Sequence, residues 1–187
     1  MTTICAMALA HGSHAVDHSG GTLRVKTYRE GVAARVGHDL VIDVTKWDAT
    51  VEVGADGAIT AIALHADPRS LTVREGLRGV KPLSDRDRAD IARTIDEKIL
   101  GGAAIELRTS ACEAPSAATT RVRGELTLAG TTRPIEFELA VSEDGRVTAT
   151  VRVVQSKWGI KPYRGLMGAL KVRDDIEVVV DATLPVA

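Results

Sequence analysis

Residues 121–141 read R-V-R-G-E-L-T-L-A-G-T-T-R-P-I-E-F-E-L-A-V. Val122, Leu126 and Leu128 alternate with Arg121, Arg123, Glu125 and Thr127; then, after A-G-T-T-R-P, Ile135, Phe137, Leu139 and Val141 alternate with Glu136 and Glu138. Successive side chains of a strand point to opposite faces, so this period of two puts aliphatic groups on one face and charges on the other. Two such runs joined by a Gly- and Pro-containing turn make an antiparallel hairpin with a dry face and a wet one.

The pattern extends in both directions. Leu23 and Val25 alternate with Arg24 and Lys26. Leu40, Ile42 and Val44 share a face, and then Trp47, Ala49, Val51 and Val53 carry it on odd numbers, between Asp48, Thr50 and Glu52. A switch from even to odd at Thr45 and Lys46 requires a bulge or a break. The G-A-D-G at 54–57 turns the chain into a strand over 59–65, and Asp67-Pro68 punctuates before 70–74. Ile105 and Leu107 alternate with Glu106 and Arg108; E-D-G at 143–145 turns the chain before a strand over 147–154; Ile176, Val178 and Val180 close the series. Strands of this length with hairpin turns predict an antiparallel barrel or sandwich.

One segment has a different period. Over 84–102 the sequence is S-D-R-D-R-A-D-I-A-R-T-I-D-E-K-I-L-G-G. Ser84 followed by Asp87 reads as a capping box, Ile91, Ile95 and Ile99 fall at i, i+4 and i+8, and two glycines end the run. This predicts one amphipathic helix of about four turns lying on the β structure.

A length of 187 residues with a formal charge of −1 fits one domain and excludes a polyelectrolyte binder of nucleic acid. We expect residues 1–20 to form a flexible tail and 21–187 a β-barrel domain. His11, His14 and His18 in H-G-S-H-A-V-D-H then belong to the tail, because glycine and serine interrupt any metal-binding helix face. Cys5 and Cys112 make neither a disulfide framework nor a zinc spacing, which fits a reducing compartment. The start lacks the basic region of a signal peptide, and no run approaches the roughly 18 apolar residues of a membrane helix. The expectation is a cytoplasmic protein that is not integral to a membrane. No G-x-S-x-G, H-E-x-x-H or P-loop occurs.

The inward-reading positions are mostly Val, Ala, Leu and Ile, and aromatics make only 3% of the chain. Small aliphatic linings leave volume that Phe and Trp would fill, which favours a hollow apolar lumen. Several motifs then point to one family. L-T-L-A-G-T-T-R-P-I at 126–135, D-E-K-I-L-G-G-A-A-I-E-L-R-T-S at 96–110 and Q-S-K-W-G-I-K-P-Y at 155–163 resemble, in order, signatures of the YceI-like family. V-R-D-D-I-E-V-V-V at 172–180 resembles its ending, and the resemblance spans about residues 22–184. It departs at T-L-R-V-K-T-Y-R, where the family carries a histidine; G-H-D-L follows at 37–40, as in a subgroup. The resemblance implies an all-β, lipocalin-like fold: an eight-stranded antiparallel barrel with one helix packed beside it. It also implies a long amphiphile in the lumen, such as a polyisoprenoid or isoprenoid quinone, dimers in many members, and a periplasmic location for many.

Two places supply candidate contacts. His38 and Asp39 are neighbours on a strand and so point apart, which excludes a dyad between them. His38 either caps a strand end at the rim, makes a polar contact to a ligand head, or ligates a haem or metal axially; Asp39 could equally anchor a turn. The second place is S-K-W-G-I-K-P-Y-R-G-L-M-G-A-L-K-V at 156–172, inside a span from Gly145 to Arg173 with no acidic residue. Trp158 and Tyr163 either plug a barrel end or present apolar faces to an amphiphile. Lys161 and Arg164, with Lys157, are either solvated or pair with phosphate or another acidic head. The ligand-binding set is therefore His38, Asp39, Trp158, Lys161, Tyr163 and Arg164, with no catalytic residue, metal or cofactor assigned. The reading is a carrier for a hydrophobic or amphiphilic small molecule (an isoprenoid, quinone or fatty-acid derivative), with a homodimer as one possible assembly. The alternatives are an isomerase- or cyclase-like enzyme acting in the same cavity, or a stress-response module that binds nothing.

Overall fold

The structure is a computed structural model and describes residues 8–187. Its strands in chain order are β1 (Gly12–Asp17), β2 (Gly21–Thr27), β3 (Arg29–Glu30), β4 (Asp39–Val44), β5 (Trp47–Val53), β6 (Ile59–Ala66) and β7 (Leu71–Leu77). The helix α1 (Asp85–Thr94) follows, and then β8 (Ile105–Ser116), β9 (Thr119–Leu128), β10 (Thr131–Val141), β11 (Arg146–Val154), β12 (Arg164–Gly165), β13 (Leu170–Val172) and β14 (Asp175–Thr183). Among the described residues, eleven strands form one sheet in the order β1-β5-β6-β8-β9-β10-β11-β14-β2-β4-β7. β12, β13 and β3 form a small second sheet.

The class is as read: mostly β, antiparallel, curled, with one helix. The strand count is not eight. Eleven strands join the ladder, and among the described residues none pairs β1 with β7, so the sheet curls without closing. The helix packs on β7 at that edge, where the Arg88 guanidinium donates to the Val73 carbonyl at 2.9 Å and to that of Arg74 at 2.6 Å.

The β9–β10 hairpin is tighter than its sequence implied. Only Ala129 and Gly130 turn, with φ of 47° and 74°, and Thr131 already pairs with Leu128. Two successive left-handed residues match the twist of a two-residue hairpin, which is why glycine takes one position. Pro134 therefore lies within β10, although it has no N–H to give a ladder. β10 meets β11 only through Ala140 and Val141, so Pro134 sits where that flank is unpaired. A 3-10 turn, Gln155–Trp158, packs against β10.

The phase switch at 45–46 is a break between β4 and β5, tied down by Thr45 N–H to the Ser70 carbonyl and Asp67 N–H to the Lys46 carbonyl, both 3.0 Å. The helix starts at the expected box: Asp87 N–H donates to the Ser84 hydroxyl while the Asp87 carboxylate accepts from Ser84 N–H. It continues as a π-helical segment, Ile95–Leu100, and stops at Gly101 in the left-handed region.

The expected tail is a correction. Gly12–Asp17 is strand β1, registered from Gly12 opposite Val53 to Asp17 opposite Asp48. His11 contacts the Val53 carbonyl at 2.8 Å and His14 the Ala10 carbonyl at 2.6 Å. Its inward side is Gly12, His14 and Val16, too polar to read as a strand, and pairing along β5 supplies what hydrophobicity does not. Residues 1–7 of the expected tail, with Cys5, lie outside the described residues.

The inner face changes character along each strand. In β11, Val147 and Ala149 sit in a packed core and Val151 and Val153 line a cavity. The same division separates Leu139 from Phe137 and Ile135 in β10, and Val122 from Leu126 and Leu128 in β9. One end of the curled sheet is filled and the other is hollow.

Candidate functional site

The hollow end holds a cavity of about 700 Å³, within the range of small-molecule sites. Its wall is aliphatic: Leu23, Val25, Leu40, Leu64, Leu107, Leu126, Ile135, Val178 and their neighbours, with Ile91, Ile95 and Ile99 from the helical segment. Ile176, Val178 and Val180 of β14 face inward yet are only half-buried, because the lumen beside them is not filled by side chains. The Thr27 hydroxyl in this wall is buried without a hydrogen-bond partner.

Polar groups gather at the mouth, where three loops meet. The loop after β3 is stitched to the one before β13 by Ala33 N–H to the Ala169 carbonyl at 2.9 Å, and by the pairing of β3 with β13. The loop after β7 joins them through His38, whose Nε2 donates to the Lys81 carbonyl at 2.7 Å. Gly79 lies so close to that imidazole that a Cβ there would stand 2.0 Å from Nε2. Arg29 bridges the same loops, donating to the Gly37 carbonyl at 2.7 Å and to the Arg78 carbonyl. Lys81, Lys171, Tyr163, Asp87 and Asp90 add to the polar lining, with Thr94 and Gln155. The Ser84 hydroxyl and amide donate to Asp87 and hold its carboxyl below the usual carboxylate range, so it is charged at neutral pH.

The six sequence-derived candidates divide. His38 and Tyr163 line the cavity. Asp39 does not: it is buried at the rim, accepts from Arg29 N–H at 2.9 Å, and pairs with Arg78 at 3.5 Å. It anchors the turn, and as strand alternation requires it points away from His38. Trp158 is also outside the lining: it is 4% exposed and its Nε1 donates to the Leu126 carbonyl at 2.8 Å, the architectural one of its two readings. Lys161 and Arg164 are exposed and outside the lining. Tyr163, between them in sequence, reaches the lining while staying 44% exposed. The cations that do line the cavity, Arg29 of β3, Lys81 of the loop after β7 and Lys171 of β13, come from three segments far apart in sequence. Only Lys171 lay in the basic stretch; for the other two, no local pattern marks the approach.

The profile of the YceI-like domain family matches residues 16–184. The chain belongs to the YceI-like family. Solved structures share the fold of this YceI-like chain at low identity. BcnA of Burkholderia cenocepacia matches with a TM-score of 0.64 and 14% identity, over 89% of this chain and 97% of that one. A polyisoprenoid-binding domain from Saccharophagus degradans, described as implicated in plant cell wall breakdown, matches at 0.56 and 9%, over 94% and 100%. The YceI protein of Campylobacter jejuni matches at 0.53 and 12%, over 73% and 79%. At these identities the likeness is one of fold. No curated protein matches this YceI-like chain.

Proposed function

We propose that this YceI-like chain is a non-catalytic carrier that holds the apolar chain of an isoprenoid or similar amphiphile in its lumen, with an acidic head at the mouth. The observation that carries this reading is the cavity of about 700 Å³, whose wall is mostly aliphatic and whose lining cations come from segments that meet at one end. Each CH₂ moved from water into such a wall gains about 0.8 kcal/mol, so the chain supplies affinity while the head supplies orientation. Lys81 and Lys171, with the Tyr163 hydroxyl and His38, are the groups at the height of a head. The solved polyisoprenoid-binding domain with the same fold supports an isoprenoid over a short fatty acid.

The test is native mass spectrometry and lipid extraction of the purified protein, followed by loading with a prenyl alcohol phosphate. A bound prenyl species is expected in the natural protein. Val178→Trp, which puts an indole into the cavity, should abolish loading while the chain stays folded. Equal loading by Val178→Trp, or no uptake of any apolar chain, would overturn the reading.

A further inference from the structure

The three loops at the mouth carry more than the rim of a cavity. Among the described residues the exposed large hydrophobics are Val32, Val36, Leu77, Val80, Tyr163, Leu166 and Met167, and every one lies in residues 31–37, 77–83 or 161–171. Val32 is 96% exposed, Val80 71% and Leu166 59%, and Met167 is fully in solvent. A contiguous apolar patch on an otherwise charged surface marks an interaction site. Leu166 and Met167 also have left-handed backbone, with φ of 49° and 53°, a conformation non-glycine residues rarely keep. The turn thus holds two apolar side chains outward at a cost in conformational free energy.

The same three segments contain Arg35, Arg78, Lys81, Lys161, Arg164 and Lys171 and no acidic residue, in a chain whose totals are 24 basic and 25 acidic. Of these six, only Arg78 makes an ion pair among the described residues, with the buried Asp39. Acids border the mouth from α1, where Asp87 and Asp90 line the cavity, and from Glu30, opposite Lys171; the loop tips carry none. An apolar tip ringed by unpaired cations matches the two layers of an anionic lipid surface, with acyl chains below and negative heads above.

We infer that the mouth docks on an anionic bilayer, with Val32, Val80, Leu166 and Met167 entering the interface and the surrounding cations meeting the lipid heads. The same three segments supply Val36, Lys81, Tyr163 and Lys171 to the cavity lining, so docking places that end of the cavity against the lipid. Each cation near an anionic surface changes partitioning about fivefold, and one apolar side chain at the interface on the order of tenfold.

Flotation of the purified protein with vesicles measures this directly. Binding is expected to vesicles of phosphatidylcholine with an equal amount of phosphatidylglycerol, to weaken as salt is raised, and to be nearly absent with phosphatidylcholine alone. Met167→Asp, at a fully exposed position, should remove binding and leave the thermal melt unchanged; Arg164→Ala should weaken it about fivefold. No binding to the anionic vesicles, equal binding to both kinds, or unchanged binding by Met167→Asp would overturn the inference. So would self-association that Met167→Asp abolishes while vesicles stay unbound, since the patch would then face a second copy of this chain. Docking does not depend on what the lumen holds: Val178→Trp should float as the natural protein does. A protein that loads prenyl chains without floating would overturn the docking alone.

Discussion

Trp158→Phe separates architecture from ligand contact in the basic stretch. The indole is 4% exposed and donates its only N–H to the Leu126 carbonyl at 2.8 Å, next to the flank of β10 that β11 leaves unpaired. A phenyl ring keeps the apolar body but removes the donor, a net loss of about 1 kcal/mol. It also leaves part of a packed site empty, which costs about 1–2 kcal/mol more. The sum is about 2–3 kcal/mol, and for a chain of this length each kcal/mol moves the midpoint by about 2–4 °C. Thermal unfolding followed by circular dichroism should therefore fall by about 4–12 °C. Loading with a prenyl chain, measured below the transition by native mass spectrometry, should be unchanged because Trp158 is outside the lining. A variant that melts as the natural protein does but loses the lipid would refute the placement of Trp158 in the wall.

Two further outcomes follow from the rim and from the surface carboxylates. Gly79→Ala forces the His38 ring off the Lys81 carbonyl, at a cost of about 1–3 kcal/mol; in a His38→Ala background the penalty should mostly vanish, and equal penalties in a double-mutant cycle would show that the two do not touch. Asp87, bonded by Ser84, and Asp181, bonded by Arg146, both have carboxyl pKa values below the ordinary value near 3.9. The unfolded chain then binds more protons than the folded one as acid is added, so their contribution is complete above about pH 5 and is lost as pH falls through about 4 and below. The melting midpoint should drop across that window, less so in Asp181→Asn, and a midpoint that rises on acidification would contradict the sign.

What was legible in the sequence is what period and local chemistry dictate. The β9–β10 hairpin, the break at 45–46 and the Ser84 cap each depend on residues within a few positions, and each is present. β1 was missed because an edge strand needs only one neighbour, and its inward Gly12 and His14 give no hydrophobic signal. The two strands within 161–172 were missed because they are completed by Arg29 and Glu30 at the other end of the chain. The same distance hid Arg29 and Lys81 from the site, and it made Trp158 and Asp39 look like ligand contacts when their partners, the Leu126 carbonyl and the Arg29 amide, were out of sight.

Charge completes the reasoning, because the near-neutral total conceals a division. On the outer face of the sheet most arginines are answered across strands: Arg24 by Asp43, Arg121 by Glu138, Arg123 by Glu136 and Glu113, Arg146 by Asp181. Exposed pairs of this kind contribute little stability, but they remove field from the sheet's surface. The mouth has no such answer: Arg35, Lys81, Lys161, Arg164 and Lys171 make no ion pair among the described residues, and the exposed aliphatics lie between them. Stability can therefore rest on the packed end, where Val122 and Leu139 are buried, and on the cross-strand ladder. The hollow end is then free to keep unfilled volume, unpaired charge and outward apolar side chains together, three features that each weigh against a stable closed surface. All three become favourable at once when an apolar chain fills the lumen and an anionic, apolar-cored surface meets the rim.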